Sequence, residues 1–205
     1  HVVFISNWLK EYYINNYNIK TPYSIINNAA DTSVFIPNLN KKLDKKLIRI
    51  VSHHWSNDYM KGFEIYNKLD KILPKYPWLK FTFIGNYNNL FKPKNINLKK
   101  PISGDKLADE LKKHDIYLTA SLYEPGGIHQ LEGMASGLPV IYRTNSGGIK
   151  ETCTESGVEF NNMDDLISKI EYTIDNYNQL IEKIDYNFIG YDRCGKQYFD
   201  LINNL

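Results

Sequence analysis

Two glutamates and a pair of glycines near the middle of the chain have residue types and a spacing suited to binding a polar ligand. Glu124 and Glu132 lie eight positions apart, and Pro-Gly-Gly follows the first of them. A carboxylate accepts hydrogen bonds from two neighbouring hydroxyl groups, such as those of a ribose or a hexose. Gly126 and Gly127 would let a ligand approach the main chain without meeting a side chain. Acidic residues are more often solvated, so the spacing alone predicts nothing specific.

The neighbouring elements predict where these glutamates lie. Residues 115–120 have the composition of a buried parallel strand, and a second apolar run begins at Val140. A short helix is expected between them, beginning just after the glycines. Glu124 would then lie in a loop at the carboxyl end of a strand, and Glu132 in the first turns of the helix. Ligands of open parallel sheets bind at that edge, where helix N-termini favour anions.

The stretch from 124 to 151 resembles the E-x7-E signature of retaining GT-B glycosyltransferases, a family that uses nucleotide sugars. It reads Glu-Pro-Gly-Gly-Ile-His-Gln-Leu-Glu-Gly-Met-Ala-Ser-Gly-Leu-Pro-Val-Ile and then Ser-Gly-Gly-Ile-Lys-Glu, a family-4-like pattern. The resemblance implies that Glu124 binds the hydroxyls of the donor sugar and Glu132 the ribose. It also implies substrate contacts by the amides of Gly126 and Gly127 and by Ile128. The family usually has Phe where this chain has Gly126.

A second part of the chain resembles the family's phosphate-binding elements. Lys61-Gly62 stands at the start of a predicted helix, and the resemblance implies that Lys61 neutralises charge on the leaving diphosphate. From its spacing alone Lys61 would be a solvated residue. The arginine that usually follows the preceding strand is absent, and His53 or His54 occupies its position. Adjacent histidines point in different directions and have no third ligand, so we expect no metal site there.

Two substrate contacts are implied by the resemblance alone. Gly85 ends a predicted strand over 78–85 and would lie beside the phosphates or the ribose. Ile102 would lie where the main chain meets the edge of the nucleobase. Loops of this kind occur in any doubly wound sheet, so neither position is distinctive.

The alternation of strands and helices from Leu47 onward predicts an α/β fold with a Rossmann-like, doubly wound parallel sheet. A polar loop is expected over 86–99, and one long amphipathic helix over 163–184. The resemblance also implies how the chain is divided into domains. It implies the end of an acceptor-side domain at 1–35, a linker at 36–46, a nucleotide-sugar-binding domain at 47–190 and a closing helix toward the first domain at 191–205.

Composition excludes several classes of protein. The chain has 205 residues, 42% hydrophobic and 23% charged, which is enough for a globular core. Its formal charge of +2 and scattered lysines argue against a nucleic-acid partner. The two cysteines lack metal-ligand spacing, which favours a reducing compartment. No apolar stretch approaches the ~20 residues of a membrane span, so we expect a cytoplasmic location, either free or peripheral to a membrane.

The resemblance therefore predicts the donor domain of an enzyme. The implied reaction is a retaining, metal-independent transfer of a hexose from a UDP or GDP sugar to a glycan, lipid or protein acceptor, without a cofactor. Most of the acceptor-side domain is expected to be missing, so this chain alone would bind donor without turning it over. Two other classes stay open: a non-catalytic nucleotide- or sugar-binding module, and a flavodoxin-like scaffold domain. An inverting enzyme or a phosphorylase is a nearer alternative, and the two glutamates argue against the inverting one.

Overall fold

The computed structural model of the chain describes residues 1–38 and 40–205. Strands and helices alternate along most of its length. The strands are β1 (Val2–Phe4), β2 (Tyr23–Ile25), β3 (Ile48–His54), β4 (Leu79–Gly85), β5 (Asn97–Lys99), β6 (Ile116–Thr119), β7 (Val140–Arg143) and β8 (Gly157–Phe160). The helices are α1 (Asn7–Asn16), α2 (Phe63–Ile72), α3 (Gly104–Leu111), α4 (His129–Ala135), α5 (Ile149–Cys153), α6 (Met163–Asp175), α7 (Tyr177–Glu182), α8 (Tyr186–Ile189) and α9 (Tyr191–Asn203).

The main sheet has six parallel strands in the order β5-β4-β3-β6-β7-β8. From β3 the chain moves outward to β4 and β5, and from β6 it moves outward in the opposite direction to β7 and β8. The direction in which successive strands are added therefore reverses between β3 and β6. Sheets of this kind bind ligands in the crevice at the carboxyl ends of these two strands. This confirms the predicted α/β fold with a doubly wound parallel sheet.

Both faces of the sheet are covered, and nearly every residue of its central strands is buried. Alternate residues of one strand point to opposite faces. Ile50 of β3 belongs to a core with α2 and α6, whereas Val51 belongs to a second core with α3 and α4. The two cores hold the strand ends rigidly at the crevice.

Two elements differ from the sequence prediction. The expected polar loop over 86–99 contains β5, which pairs with β4. The carboxylate of Asp70 in α2 accepts hydrogen bonds from the main-chain N–H groups of residues 94–96 and thereby fixes the approach to this strand. The prediction of a single helix over 163–184 is also wrong. Helix α6 is capped at Asn176, whose side chain donates to the carbonyl oxygen of Tyr172 at 2.8 Å, and α7 begins at the next residue.

The N-terminal segment packs on the loop that follows β6. Ser6 caps α1 by accepting from the N–H of Leu9 at 3.0 Å and donates to the carbonyl oxygen of Pro125 at 2.5 Å. The side-chain amide of Asn28 donates to the carbonyl oxygen of Gly126 at 2.6 Å. The loop with the glutamate and glycines is therefore held from outside by residues 1–35. The proposed assignment of that segment to another domain stays a prediction.

The last helix, α9, also contacts the N-terminal segment. The guanidinium of Arg193 donates to the carbonyl oxygens of Asn27 and Asn28 at 3.1 and 3.2 Å. Apolar side chains of α9 remain exposed, including Phe199 (67% exposed) and Ile202 (68% exposed). The helix α9 thus carries apolar side chains on an exposed face.

Replacing Ser6 with Ala should lower stability by about 1–2 kcal/mol, because it removes both a helix cap and a hydrogen bond to the loop. For a chain of this size, that corresponds to a fall of about 2–8 °C in the thermal midpoint. Ser168→Ala is the matched control, since its exposed hydroxyl only bonds the carbonyl of Asp165 in its own helix. Calorimetric unfolding of both variants tests the prediction, and equal midpoints would contradict it.

Candidate functional site

A cavity of about 380 Å³ opens at the carboxyl ends of β3 and β6. It therefore lies at the topological switch point of the sheet, where a ligand site is expected. Its walls come from the segment after β3, from the start of α2 and from the loop between β6 and α4. The lining residues are His53, His54, Trp55, Ser56, Lys61, Glu124, Gly126, Gly127, Ile128, His129 and Glu132.

Lys61 is placed by a short helical turn that leads into α2. The turn, Tyr59–Lys61, is capped by Asp58, whose carboxylate accepts from the N–H of Met60 at 2.7 Å. Gly62 then takes a φ of +87°, a conformation that favours glycine. A Cβ there would also collide with Ala120 at the end of β6. The chain can therefore turn into α2 only with glycine at this position, and the turn directs Lys61 into the cavity.

Glu124 lies opposite Lys61, and the two side chains form an ion pair between the Lys61 ammonium and Oε2 of Glu124. Both side chains are mostly buried, with 20% and 16% of their surface exposed. The main chain of Glu124 is fixed by hydrogen bonds with residues 146 and 148, beside the tight turn at Gly147. The structure thus brings together the cation and the first carboxylate that the sequence predicted for the site.

Glu132 lies in the first turn of α4 and faces the end of β3. Its Oε2 is 2.6 Å from Nε2 of His53. Its side chain is 20% exposed, and Oε1 makes no hydrogen bond to the described residues. One carboxylate oxygen of Glu132 therefore stays free in the cavity wall, while the other contacts His53.

Two residues that sequence reasoning missed, Tyr117 and His129, complete a buried polar network. The hydroxyl of Tyr117 lies 3.0 Å from Nδ1 of His53 and 3.2 Å from Nδ1 of His129. It also lies 3.2 Å from the main-chain nitrogen of His53. A signal was present in the sequence, since Tyr117 is a hydroxyl-bearing residue within an apolar strand and a buried hydroxyl needs a partner. His129 lies within the glutamate motif itself.

His54 also lines the cavity, and its ring contacts two buried hydroxyl groups. Its Nε2 is 3.2 Å from the hydroxyl of Tyr66 and 3.3 Å from the hydroxyl of Ser52. Burial lowers the pKa of His54 well below 6.5, and the nearby charges of His53 and Lys61 lower it further. Burial likewise lowers the pKa of His129 well below its ordinary value. Both rings are therefore neutral at pH 7.

These depressed values predict acid destabilisation. In the unfolded chain histidines titrate near pH 6.5, so below that pH the unfolded state binds more protons than the folded state. Stability should be lost as the pH falls from 7.5 to 5.5, by up to ~1.4 kcal/mol per pH unit for His54 and for His129. Thermal midpoints across this range test the slope, which His129→Phe should reduce. His1→Phe is the control, because His1 is exposed. A midpoint of the native chain that does not change with pH would contradict the prediction.

The remaining predicted site residues divide into two groups. Gly126, Gly127 and Ile128 line the cavity. Gly85 and Ile102 lie outside it, in an adjacent cleft that shares His53, His54 and Trp55. Gly85 has a structural role of its own: its φ is +137°, and a Cβ there would collide with the carbonyl oxygen of His54.

The packing of the N-terminal segment leaves little room for a side chain at Gly126. A Cβ on this residue would lie 2.8 Å from Cδ1 of Ile5 and 3.2 Å from the amide nitrogen of Asn28. The N-terminal segment occupies the space into which a larger side chain would project. A glycine at position 126 therefore allows residues 1–35 to pack closely on the loop.

A larger cavity, of about 590 Å³, lies away from the strand ends, between the segment 41–45 and the α6–α7 junction. Its size does not make it the better candidate. Ligands of open parallel sheets bind at the carboxyl ends of the strands, and this cavity does not lie there.

Within residues 1–38 and 40–205, no group of three or more His, Cys, Asp or Glu side chains is arranged to hold a metal ion. None of the helices in these ranges combines the length and the hydropathy required to cross a bilayer.

Solved structures share the fold across nearly the whole chain. A HepE protein from Anabaena, in complex with UDP and glucose, aligns with 99% of this chain and 63% of its own at a TM-score of 0.76 and 16% identity. Sucrose-phosphate synthase from Thermosynechococcus elongatus aligns with 98% of this chain and 57% of its own at a TM-score of 0.73 and 18% identity. This chain therefore spans little more than half the length of these two proteins.

A shorter structure matches most of this chain. The C-terminal domain of LpcC, a glycosyl transferase group 1 family protein from Francisella tularensis, aligns over 83% of this chain and 98% of its own. The TM-score is 0.58 and the identity 23%. A comparison with curated proteins found no significant match. The model of the family described as glycosyl transferases group 1 matches residues 32–188, which include both glutamates and Lys61, and the chain belongs to this family.

Proposed function

We propose that this chain is the donor-binding part of a retaining, metal-independent glycosyltransferase that binds a nucleotide diphosphate hexose in the cavity between β3 and β6. The observation that carries the proposal is the arrangement of one lysine and two carboxylates around a single cavity at the switch point. A site with one cation and hydroxyl-binding acids suits a ligand that combines a diphosphate with two sugars.

Each part of the donor has a proposed partner. Lys61 binds the diphosphate, Oε1 of Glu132 binds a ribose hydroxyl, and Glu124 binds hydroxyls of the hexose. Diphosphate binding would draw Lys61 away from Glu124, since the two are paired in the free chain. The release of Glu124 would then leave its carboxylate available to the sugar. The other assignments made by resemblance place phosphate or sugar at Gly126, Gly127 and Ile128, and the nucleoside beside Gly85 and Ile102, with His53 and His54 between them.

The proposed reaction exchanges one bond at C1 of the hexose for another. The bond from C1 to the β-phosphate oxygen breaks, and its electron pair leaves with the phosphate. The acceptor hydroxyl forms the new bond on the same face, and its proton passes to the leaving phosphate oxygen. Lys61 would stabilise the charge that develops on the leaving group, a role worth ~100-fold or more in rate. The acceptor, a glycan, lipid or protein, would bind through the acceptor-side domain to which we assign residues 1–35.

A thermal-shift titration tests the binding step. UDP, GDP, ADP and their glucose or mannose conjugates are titrated into the native chain, each with and without EDTA. We expect one nucleotide and its sugar conjugate to raise the midpoint, to the same extent with EDTA. No shift with any of them would refute the donor site, and a shift that EDTA abolishes would refute metal-independent binding. A full-length protein that binds donor but neither transfers nor hydrolyses it would instead be a binding module.

A further inference from the structure

Four aromatic side chains form a row that leads from the loop beside the cavity onto helix α1. The ring of Tyr123 stacks on Trp8, with the ring centroids 6.3 Å apart and an angle of 26° between the ring planes. Trp8 also stacks on Tyr12, at 5.9 Å and 18°, and Tyr17 follows at 6.4 Å from Tyr12. Tyr123 directly precedes Glu124, which lines the cavity. One end of this aromatic row therefore lies beside the proposed sugar site.

Much of the aromatic row is open to solvent. Tyr123 is 53% exposed, Tyr12 is 48% exposed and Tyr17 is 58% exposed. Rings that serve only to hold two elements together are normally buried between them, as Phe4 is at 3% exposed. Single exposed apolar residues are common, whereas contiguous exposed patches mark binding surfaces. The row is such a patch, and it has room for a ligand.

The main chain of Tyr123 is strained in the conformation that places its ring in the row. Its φ is +51°, which is unfavourable for a bulky side chain. Hydrogen bonds fix this conformation, since the N–H of Tyr123 donates to the carbonyl oxygen of Asn145 at 2.9 Å and the N–H of Leu122 to that of Met60 at 2.8 Å. Glycine or asparagine would adopt this φ at a lower cost. Strained residues cluster at functional sites, so the strain indicates a use for the tyrosine ring.

Helix α1 holds the rest of the row in a fixed position relative to the cavity. The main-chain N–H groups of Asn7 and Trp8 donate to the carboxylate of Glu151 at 2.8 and 2.6 Å. Glu151 belongs to α5, which packs on the main sheet. The hydrogen bond from Ser6 to Pro125 joins the same end of α1 to the loop with the glycines. The aromatic row and the cavity therefore form one continuous surface.

The chemistry of the row fits a carbohydrate better than a lipid. The face of an aromatic ring is electronegative, so it attracts the polarised C–H groups on the face of a pyranose ring. The hydroxyls of Tyr12 and Tyr123 and the indole nitrogen of Trp8 make no hydrogen bond to the described residues. These groups are available to sugar hydroxyls, which both donate and accept. An acyl chain would contact the ring faces and leave the polar groups unused.

We propose that the aromatic row binds the acceptor, and that the acceptor is a glycan whose pyranose rings stack on Tyr123, Trp8 and Tyr12. This inference rests on the proposed function of the cavity. It narrows the acceptor to a glycan of several sugar units. The unit bound at Tyr123 lies nearest to the hexose that Glu124 is proposed to hold.

The indole N–H resonance of Trp8 reports binding to the row in the full chain. Its assignment follows from its loss in Trp8→Phe. Maltohexaose, cellohexaose and chitohexaose are titrated into the ¹⁵N-labelled native chain without nucleotide. We expect at least one of them to shift the Trp8 resonance to saturation, and glucose to bind more weakly because a single sugar contacts fewer rings. If no oligosaccharide shifts this resonance, the inference is overturned.

Two variants each remove one ring from the row. Tyr123→Asn keeps a residue that tolerates the positive φ, and Tyr12→Ala changes an exposed position of α1. Each should weaken the binding of the preferred oligosaccharide by about two- to tenfold, the range expected for one aromatic contact. Tyr172→Ala is the matched control, since Tyr172 is also 53% exposed but lies on α6. An unchanged affinity in either folded variant would contradict the inference.

Two further probes separate the inference from its alternatives. Dodecylphosphocholine micelles that shift the Trp8 resonance when no oligosaccharide does would identify a lipid-binding surface and refute the glycan. If UDP or GDP binds in the cavity and no oligosaccharide binds the row, the inference is wrong while the donor site stands. If oligosaccharides bind the row and no nucleotide binds the chain, the proposed function fails, and with it the role of the row as an acceptor site.

Discussion

Lys61→Met should weaken the binding of the preferred nucleoside diphosphate by about 10- to 100-fold, the range expected for a lost hydrogen bond to a charged group. The physical reason is that, among the residues that the structure describes, Lys61 is the one lysine that lines the cavity. The affinity for the nucleoside monophosphate should fall much less. The tighter binding of the diphosphate than of the monophosphate should therefore largely disappear in the variant. Calorimetric titration with both nucleotides measures this difference.

The control for Lys61→Met is Lys68→Met in the same region of the fold. Lys68 is 53% exposed and pairs only with Glu64, one turn away on α2. Its removal should change stability by less than about 0.5 kcal/mol and leave nucleotide affinity unchanged. Lys61→Met also leaves the Glu124 carboxylate without its partner, so thermal midpoints are needed to separate lost binding from lost stability. An undiminished diphosphate advantage in a folded Lys61→Met variant would show that Lys61 does not bind the diphosphate.

Glu132→Gln should reduce nucleotide affinity by about tenfold or more, because an amide replaces the carboxylate that is proposed to accept from the ribose. The effect should depend on the ribose hydroxyls. A 2′,3′-dideoxy nucleotide, which already lacks them, should bind the variant and the native chain about equally. Comparing the two nucleotides by calorimetry therefore isolates the proposed contact.

Glu171→Gln is the matched control for this substitution, since Glu171 is an exposed residue of α6. We expect its affinities to equal those of the native chain. If Glu132→Gln loses affinity equally for the ribonucleotide and for the dideoxy analogue, Glu132 acts through His53 on the shape of the site rather than on the ribose.

The sheet could be predicted because its strands carry their own signal. β3, β4 and β6 are rich in Ile, Val, Leu and Phe, the residue types that are typical of buried strands. Glycines and polar residues separate them from helices with a clear apolar face. The break at Asn176 gave no comparable signal, because the apolar spacing continues from α6 into α7 and only the capping geometry separates them. The short strand β5 was missed because the residues around it are polar.

The site could be predicted in part. Lys61, Glu124 and Glu132 were identified because they match a family pattern, and the structure places all three around one cavity. The pairing of Lys61 with Glu124 joins residues far apart in sequence, which only the topology can bring together. The network through Tyr117 depends on the register of β3 with β6, in which Val51 lies opposite Tyr117. No spacing in a single sequence determines that register.

Backbone amide NMR during a titration can show whether a nucleotide diphosphate sugar binds between β3 and β6. The preferred nucleotide and its sugar conjugate are added to the ¹⁵N-labelled chain, and the shifted amides are mapped. We predict that the shifted amides cluster at Lys61, Gly126, Gly127 and Glu132. The sugar conjugate should shift the amide of His129 as well, whereas the nucleotide alone should not. Shifts that cluster instead along residues 41–45 and 174–179, beside the larger cavity, would contradict the account.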